Sequence, residues 1–269
     1  MNAIVPTGCF VCGAVCLGPR DEPEDDGELG LILAILQARM SSTRLPGKVL
    51  MPLAGAPMIV RQIERVARAR RIDKLVVATS LNPGDDAIEK AVRKEGIAVH
   101  RGSLHDVLDR FIGALEAFGP ADHVVRLTAD CPLADPFVID ETIDTHLEAG
   151  ADYTSNTPPH RTFPKGLDVE VMTAATLRRA AAEATTPEEH EHVTWGIWNH
   201  PDRYRLAFHS QPTDEGEVRW TVDRPDDYAF MAAVYDALYK DDRAFTSDAV
   251  RKFVWSRPDL ANYGGDRRI

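Results

Sequence analysis

From residue 30 onward the chain alternates short apolar runs with amphipathic stretches, and few folds accept that alternation. Residues 31–36 (Leu-Ile-Leu-Ala-Ile-Leu), 74–79, 98–100 and 123–128 (His-Val-Val-Arg-Leu-Thr) read as strands. Residues 58–70, 83–95 and 107–117 read as helices, the first with Ile59, Ile63 and Val66 on one face. In the second, Asp85 and Asp86 come early, where acidic groups suit the helix dipole. Strand–helix repetition builds a largely parallel sheet covered by helices, so the expected class is α/β. Further on, 136–149, 174–184, 187–199 and 225–239 are expected as helices, and 153–156, 168–172, 205–209 and 218–222 as extended or strand segments.

In open sheets of this kind ligands bind beyond the carboxyl ends of the strands. Polar groups at Gln37, Thr79, 128–130 and Asp223 each follow an apparent strand and are expected to converge on one crevice. The densest of these motifs is 37–48, Gln-Ala-Arg-Met-Ser-Ser-Thr-Arg-Leu-Pro-Gly-Lys. Arg39, Arg44 and Lys48, with hydroxyls and a glycine in one strand-to-helix loop, suit a polyphosphate. Backbone N–H groups and guanidinium forks can hold several anionic oxygens at once. A plain basic surface loop carries the same residue types; the clustering beyond a buried strand favours phosphate binding.

The 269 residues, 44% of them apolar, suffice for one α/β domain with a small appendage. We expect a loose extension over 1–29, the main α/β domain over 30–245 and a tail over 246–269. The net charge of −11 argues against a nucleic-acid partner, whose binding needs clustered positive surface. No apolar run approaches the roughly 20 residues of a membrane span, and the first ten residues lack the pattern of a secretion signal. A cytoplasmic protein is expected. Cys9, Cys12 and Cys16 could hold zinc or an iron–sulfur cluster but are one ligand short. The acidic, turn-rich stretch 20–30 follows them, so an extension whose removal leaves activity intact is the expectation. Cys131 reads as a packed small side chain rather than a nucleophile.

Polyphosphate chemistry needs a divalent cation, and magnesium is typically held by one or two carboxylates plus substrate phosphates. Asp130, in Thr-Ala-Asp-Cys-Pro-Leu, is one candidate, and Asp223, in Trp-Thr-Val-Asp-Arg-Pro-Asp-Asp, is another. Asp130 could instead shape a turn and Asp223 cap a helix. Asp168 and Glu170 alternate with apolar residues and share one side of their strand. Spacing alone leaves open which pair holds metal.

The 37–48 motif resembles the loop of the CMP-sugar-acid synthetases, the 3-deoxy-manno-octulosonate and acylneuraminate cytidylyltransferases. Six further blocks are similar to the SpsF-type spore-coat-polysaccharide cytidylyltransferase-like branch. They are Arg101-Gly-Ser, Asp106-Val-Leu-Asp-Arg, Thr128-Ala-Asp-Cys-Pro-Leu, Gly166-Leu-Asp-Val-Glu-Val, Glu191-His-Val-Thr and Trp220-Thr-Val-Asp. The blocks run in order over nearly the whole chain. The resemblance implies a three-layer nucleotidyltransferase fold of the GT-A kind, often a homodimer, that transfers CMP from CTP to an acidic acceptor and releases pyrophosphate. It places Arg39, Arg44 and Lys48 in the catalytic triphosphate loop with Ser42 beside them. Asp130 and Asp223 become the first and second Mg²⁺ ligands, and Asp106 and Arg110 lie near the nucleotide; Gln37, Ala38 and Thr79 are further nucleotide-binding candidates. The Gln-Gly-Asp of the octulosonate enzymes is replaced by Thr-Ala-Asp, which loosens the inference about the base.

For the acidic small-molecule acceptor, His160, Arg161, Lys165, Asp168, Glu170, His192 and Arg219 are candidates, because they lie in the half where such enzymes differ in substrate. His190 and His192 would otherwise be a solvated helix start, Arg161 and Lys165 a solvated loop, and Asp106 and Arg110 an i,i+4 pair. Two rival readings remain at this level. One is a GT-A glycosyltransferase using a nucleotide sugar, for which Thr128-Ala-Asp130 supplies only one acid of the usual Asp-x-Asp. The other is a silent CTP-binding module.

Overall fold

β1 (Ile32–Gln37) is a strand that both faces bury: Ile32, Ala34 and Leu36 pack into one hydrophobic cluster, Leu33 and Ile35 into another. In the computed structural model, which describes residues 30–157 and 159–269, β1 is followed by a small hairpin, β2 (Pro52–Leu53) and β3 (Ala56–Pro57). Then come α1 (Met58–Val66), β4 (Lys74–Ser80), α2 (Asp86–Lys94), β5 (Ala98–Gly102), α3 (Val107–Phe118) and β6 (His123–Thr128). The second half holds α4 (Pro136–Ala149), β7 (Tyr153–Ser155), β8 (Glu170–Thr173), α5 (Ala174–Glu183), α6 (Pro187–Glu191) and α7 (Trp195–Trp198). It closes with β9 (Leu206–Phe208), α8 (Pro225–Leu238) and α9 (Ser247–Trp255). The expectations for 1–29, including Cys9, Cys12 and Cys16, fall outside the described residues.

The main sheet has seven strands in the order β5-β4-β1-β6-β8-β7-β9. β1 pairs in parallel with β4 and β6, and β8 alone runs against its neighbours. The chain steps outward from β1 through β4 to β5, then returns to the other side of β1 with β6. That reversal opens a crevice at the carboxyl ends of β1 and β6, where Gln37 lies opposite Thr128. One core cluster includes Ile59 and Ile63 of α1, Ile139 of α4, Phe230 of α8 and Val250 of α9; the other includes Phe111 of α3 and Leu177 of α5. The result is helix, sheet and helix in three layers, as expected.

Local chemistry explains the boundaries. Asp106 caps α3 by accepting the Asp109 N–H at 2.8 Å. Asp135 caps α4 with Pro136 in its first turn, and Gly150 ends that helix in the left-handed region at φ 51. The expected helix 83–95 begins as a short 3-10 turn, and 58–70 stops at Val66.

Two elements differ from expectation. Residues 187–199 form two short helices rather than one, because Val193 sits at φ 33 and the Thr194 hydroxyl turns inward to Glu170 at 2.6 Å. Residues 218–222 form no strand. Val218, Trp220 and Val222 are fully buried, which produces the alternation, but their backbone bonds go to scattered partners. Lys165 N–H reaches Val218 O at 2.8 Å, Arg219 N–H reaches Arg267 O at 2.8 Å, and Val222 N–H reaches Asp130 O at 2.8 Å. Gly166 makes this approach possible: at φ 113, a Cβ there would stand 2.6 Å from the Trp220 carbonyl carbon. Residues 246–269 carry α9 and a segment that returns to Trp220, whose indole N–H donates to Arg268 O at 2.9 Å.

Candidate active site

The 37–48 loop leaves the carboxyl end of β1 and folds on itself. The Met40 carbonyl accepts the N–H groups of Ser42 and Gly47, at 2.9 and 3.0 Å, and Met40 N–H donates to the buried Asp85 at 2.8 Å. Gly47 at φ 74 turns the chain so that Lys48 points inward. Arg39 and Arg44 stay exposed at the mouth while Lys48 is buried. A cleft of about 250 Å³ opens here, and Gln37, Ala38, Arg39, Ser42, Arg44 and Lys48 line it from the β1 side. Arg110, Arg126, Thr128, Asp130, His192 and Asp223 face them.

At its floor two carboxylates converge on one cation. Lys48 Nζ is 3.1 Å from Asp130 Oδ2, 2.9 Å from Asp223 Oδ1 and 2.7 Å from Val222 O. Thr128 donates to Asp130 Oδ1 at 2.6 Å, while Arg44 and Arg219 approach Asp223 Oδ2 at 3.2 and 2.7 Å. Burial alone would raise the Asp223 carboxyl, but the bonds and charges of Lys48, Arg219 and Arg44 outweigh it and hold it below the usual carboxylate range. Behind it, the buried Asp227 accepts the Asp223 and Arg224 N–H groups at 3.0 and 2.9 Å.

Arg126 is a cleft residue that the sequence reading passed over. Its signal is an arginine inside an otherwise apolar strand, which needs a buried partner. Glu170 of β8 supplies it: the two are hydrogen-bonded, and Glu170 also accepts from Tyr153 and Thr194, each at 2.6 Å. Arg126 Nε reaches Gln37 Oε1 at 3.2 Å, so this ion pair fixes a guanidinium in the wall. Arg110 is also buried on the wall; burial lowers its guanidinium to about 10, Nη1 donates to Ser103 O at 3.1 Å, and Nε has no partner.

The other expected residues are spread out. Asp106 meets His190 at 2.8 Å rather than Arg110, beside a neighbouring depression that Arg39 also lines. Thr79 is buried beneath the surface with its hydroxyl unpartnered. Among the acceptor candidates, only His192 lines the cleft. Arg161 and Asp168 form a two-pronged pair at 2.6 and 2.9 Å, Glu170 serves Arg126, and Arg219 braces Asp223. Lys165 joins the 218–222 segment through its backbone, and His160 lies edge-on to Phe208 at 5.1 Å. Cys131 is buried and its thiol is pushed up by burial, then by Asp130, which suits packing rather than nucleophilic chemistry.

A three-layer fold with a cationic loop and paired carboxylates at the switch point of its sheet defines a nucleotidyltransferase. The chain belongs to the cytidylyltransferase family, whose model matches residues 33–211. It is 39% identical over 211 residues to the spore coat polysaccharide biosynthesis protein SpsF of Bacillus subtilis, covering 76% of this chain and 86% of that protein. A 3-deoxy-manno-octulosonate cytidylyltransferase of Geobacter sulfurreducens is 43% identical over 114 residues, 42% of this chain and 44% of that enzyme. Among solved structures, a cytidylyltransferase from Leptospira borgpetersenii superposes with a TM-score of 0.80 at 27% identity, covering 85% of this chain and 95% of that one. Family membership selects nucleotidyl transfer over the glycosyltransferase and silent-module readings.

Proposed function

We propose that the protein transfers CMP from CTP to an acidic sugar or related acid, with release of pyrophosphate, to supply a precursor for surface polysaccharide or glycoconjugate. The observation that carries this reading is the convergence of Asp130 and Asp223 on a single cation, Lys48 Nζ, at 3.1 and 2.9 Å. Two carboxylates that already share a point charge fit a divalent ion, and magnesium takes its remaining ligands from water and substrate phosphates. Asp130 and Asp223 would hold Mg²⁺, which supplies neutralisation of the charge developing on the phosphoryl oxygens.

The chain's own residues do the rest. Arg39 and Arg44, exposed at the mouth, and Ser42 receive the triphosphate, and Lys48 stands where the phosphates meet the carboxylates. Gln37, Ala38, Arg110 and Arg126 form the wall against the nucleotide, with Thr79 and Asp106 behind it. An acceptor oxygen bonds to the α-phosphorus as the bond to the β-phosphate oxygen breaks, and pyrophosphate leaves with that electron pair into the Arg39, Arg44 and Lys48 loop. Positioning and fixed positive charge supply most of the acceleration. A carboxylate, phosphate or phosphonate acceptor arrives ionised and needs no strong base. His192 is the acceptor candidate on the cleft; Arg161, Lys165, Asp168, Glu170 and Arg219 would act from the layer behind it. The enzyme is proposed to work as a cytoplasmic homodimer.

Thermal stability with CTP, UTP, GTP and ATP, each with and without Mg²⁺, tests the reading. A ligand at about 100 times its dissociation constant adds roughly 2.7 kcal/mol. A magnesium-dependent shift selective for CTP, followed by pyrophosphate release with an acidic acceptor, is expected. No shift with CTP would overturn the donor assignment.

A further inference from the structure

Asp227 has no solvent exposure; two arginines hydrogen-bond its carboxylate, and a third, Arg224, stands with Nε 3.7 Å from Oδ2. Arg268 Nη2 donates to Oδ1 at 2.8 Å. Arg219 donates to both oxygens, Nε to Oδ1 at 3.2 Å and Nη2 to Oδ2 at 3.1 Å. Oδ2 also accepts the Asp223 and Arg224 N–H groups, at 3.0 and 2.9 Å. One buried carboxylate therefore fixes the backbone where Asp223 leaves the 218–222 segment and α8 begins. Arg219 Nη2 reaches Asp223 Oδ2 as well, at 2.7 Å, so the same guanidinium ties both carboxylates together.

Arg268 is built in equally firmly, although it lies 41 positions from Asp227 in sequence. It is fully buried; Nη1 donates to Arg219 O at 2.8 Å and Nε to Tyr263 O at 3.1 Å. Its N–H donates to Ala261 O at 2.8 Å, its carbonyl accepts the Trp220 indole N–H at 2.9 Å, and its guanidinium stands 4.8 Å from the Phe230 ring centre. A buried charge is tolerated only when paired and fully hydrogen-bonded. Without Arg268, Asp227 Oδ1 would keep only the Arg219 Nε bond at 3.2 Å. Oδ2 would retain Arg219 Nη2, the Asp223 and Arg224 N–H groups and, at 3.7 Å, Arg224 Nε. More of the carboxylate's pairing would then fall on Arg219, the guanidinium that also reaches Asp223.

We propose that Arg268 is a positioning residue for Asp223, acting through Asp227 and Arg219 to aim that carboxylate at the point it shares with Asp130. The inference rests on the reading of Asp130 and Asp223 as cation ligands. Groups that orient a ligand from behind commonly govern metal affinity by about 10- to 100-fold. Asp223 and Arg268 both lie beyond residues 33–211, so the family match assigns neither.

The test uses the full chain with Mn²⁺ as probe, its free fraction read by electron paramagnetic resonance in the presence of CTP. Arg268→Ala is expected to weaken Mn²⁺ binding about tenfold or more. The Mg²⁺ concentration for half-maximal activity should rise in step, with the KM for CTP at saturating metal unchanged. Arg268→Lys keeps the charge but is shorter and lacks the planar fork that meets Asp227, the Arg219 carbonyl and the Tyr263 carbonyl, so its Mn²⁺ affinity should fall between those of Arg268→Ala and the parent. Asp223→Asn separates the two layers of the argument. Parent-like Mn²⁺ binding in Asp223→Asn overturns the cation-site reading itself. Weak binding in Asp223→Asn with parent-like binding in folded Arg268→Ala or Arg268→Lys overturns only the role of Arg268. If Arg268→Ala fails to fold, Arg268→Lys decides alone: lowered Mn²⁺ affinity supports the proposal and unchanged affinity ends it.

Discussion

The ammonium of Lys48 lies 3.1 Å from the carboxylate of Asp130, with Lys48 buried and Asp130 only half so. Together with Asp223 at 2.9 Å, this places one positive charge between two negative ones at the foot of the cleft. Such a cluster is held by balance, and removing any member has a direction that can be stated in advance.

Asp130→Asn keeps the shape and removes a charge. On the proposed reading it should lower kcat/KM by about 10³-fold, several kcal/mol of transition-state stabilisation. Steady-state pyrophosphate release at saturating Mg²⁺ checks it. Near-normal turnover would show that Asp130 holds no metal.

Lys48→Met leaves Asp130 and Asp223 facing each other without the shared cation. Breaking a buried charge cluster by removing one partner is strongly destabilising, by about 3–5 kcal/mol for a fully buried pair and less here, where Asp130 is half exposed. The Tm should fall in metal-free buffer and recover more on adding Mg²⁺ than the parent's does. Equal Mg²⁺ responses in variant and parent would mean that the carboxylates do not act as a pair.

Glu170→Ala strips the partner from Arg126 and leaves the Tyr153 and Thr194 hydroxyls, each 2.6 Å from Glu170, unpaired. A cost of about 3–5 kcal/mol is expected in urea unfolding. An unfolding midpoint matching the parent's would be incompatible with the buried network.

His146 gives the protein a weakness toward acid. Its Nε2 is 3.0 Å from His123 Nδ1 and its Nδ1 is 3.0 Å from Thr154 Oγ1. Burial first, then the neighbouring His123, push its imidazole from the ordinary 6.5 down to about 4. The unfolded chain therefore takes up the proton first: stability is full above about 6.5 and falls as pH drops toward 4, by on the order of 3 kcal/mol. His146→Gln should flatten the Tm–pH curve across that window. Parallel curves for parent and variant would rule the histidine out as the source.

The layered class, the order of most strands and helices and the cationic loop were legible because they rest on local patterns. The apolar run before Gln37 is long enough to be a central strand, and 123–128 and 136–149 begin and end where their caps and turns place them. Asp130 and Asp223 stood out as acids after buried segments. Arg126 did not, because its role depends on Glu170 on an antiparallel neighbour. The reading of 218–222 as a strand failed for a related reason. Alternating burial has the same signature whether the backbone joins a ladder or makes one isolated bridge to Lys165 and single bonds to Asp130 and Arg267.

The sequence by itself therefore determined which segments are buried, where the chain must turn and which loop concentrates positive charge, since these follow from side-chain chemistry over a few residues. Only the tertiary structure decided which charges share a partner. Lys48, Asp130 and Asp223 meet at 82 and 175 positions of separation along the chain, and Arg268 reaches Asp227 across 41. Such meetings depend on the order of strands in the sheet and the path of the segments that follow it, and no periodicity records them.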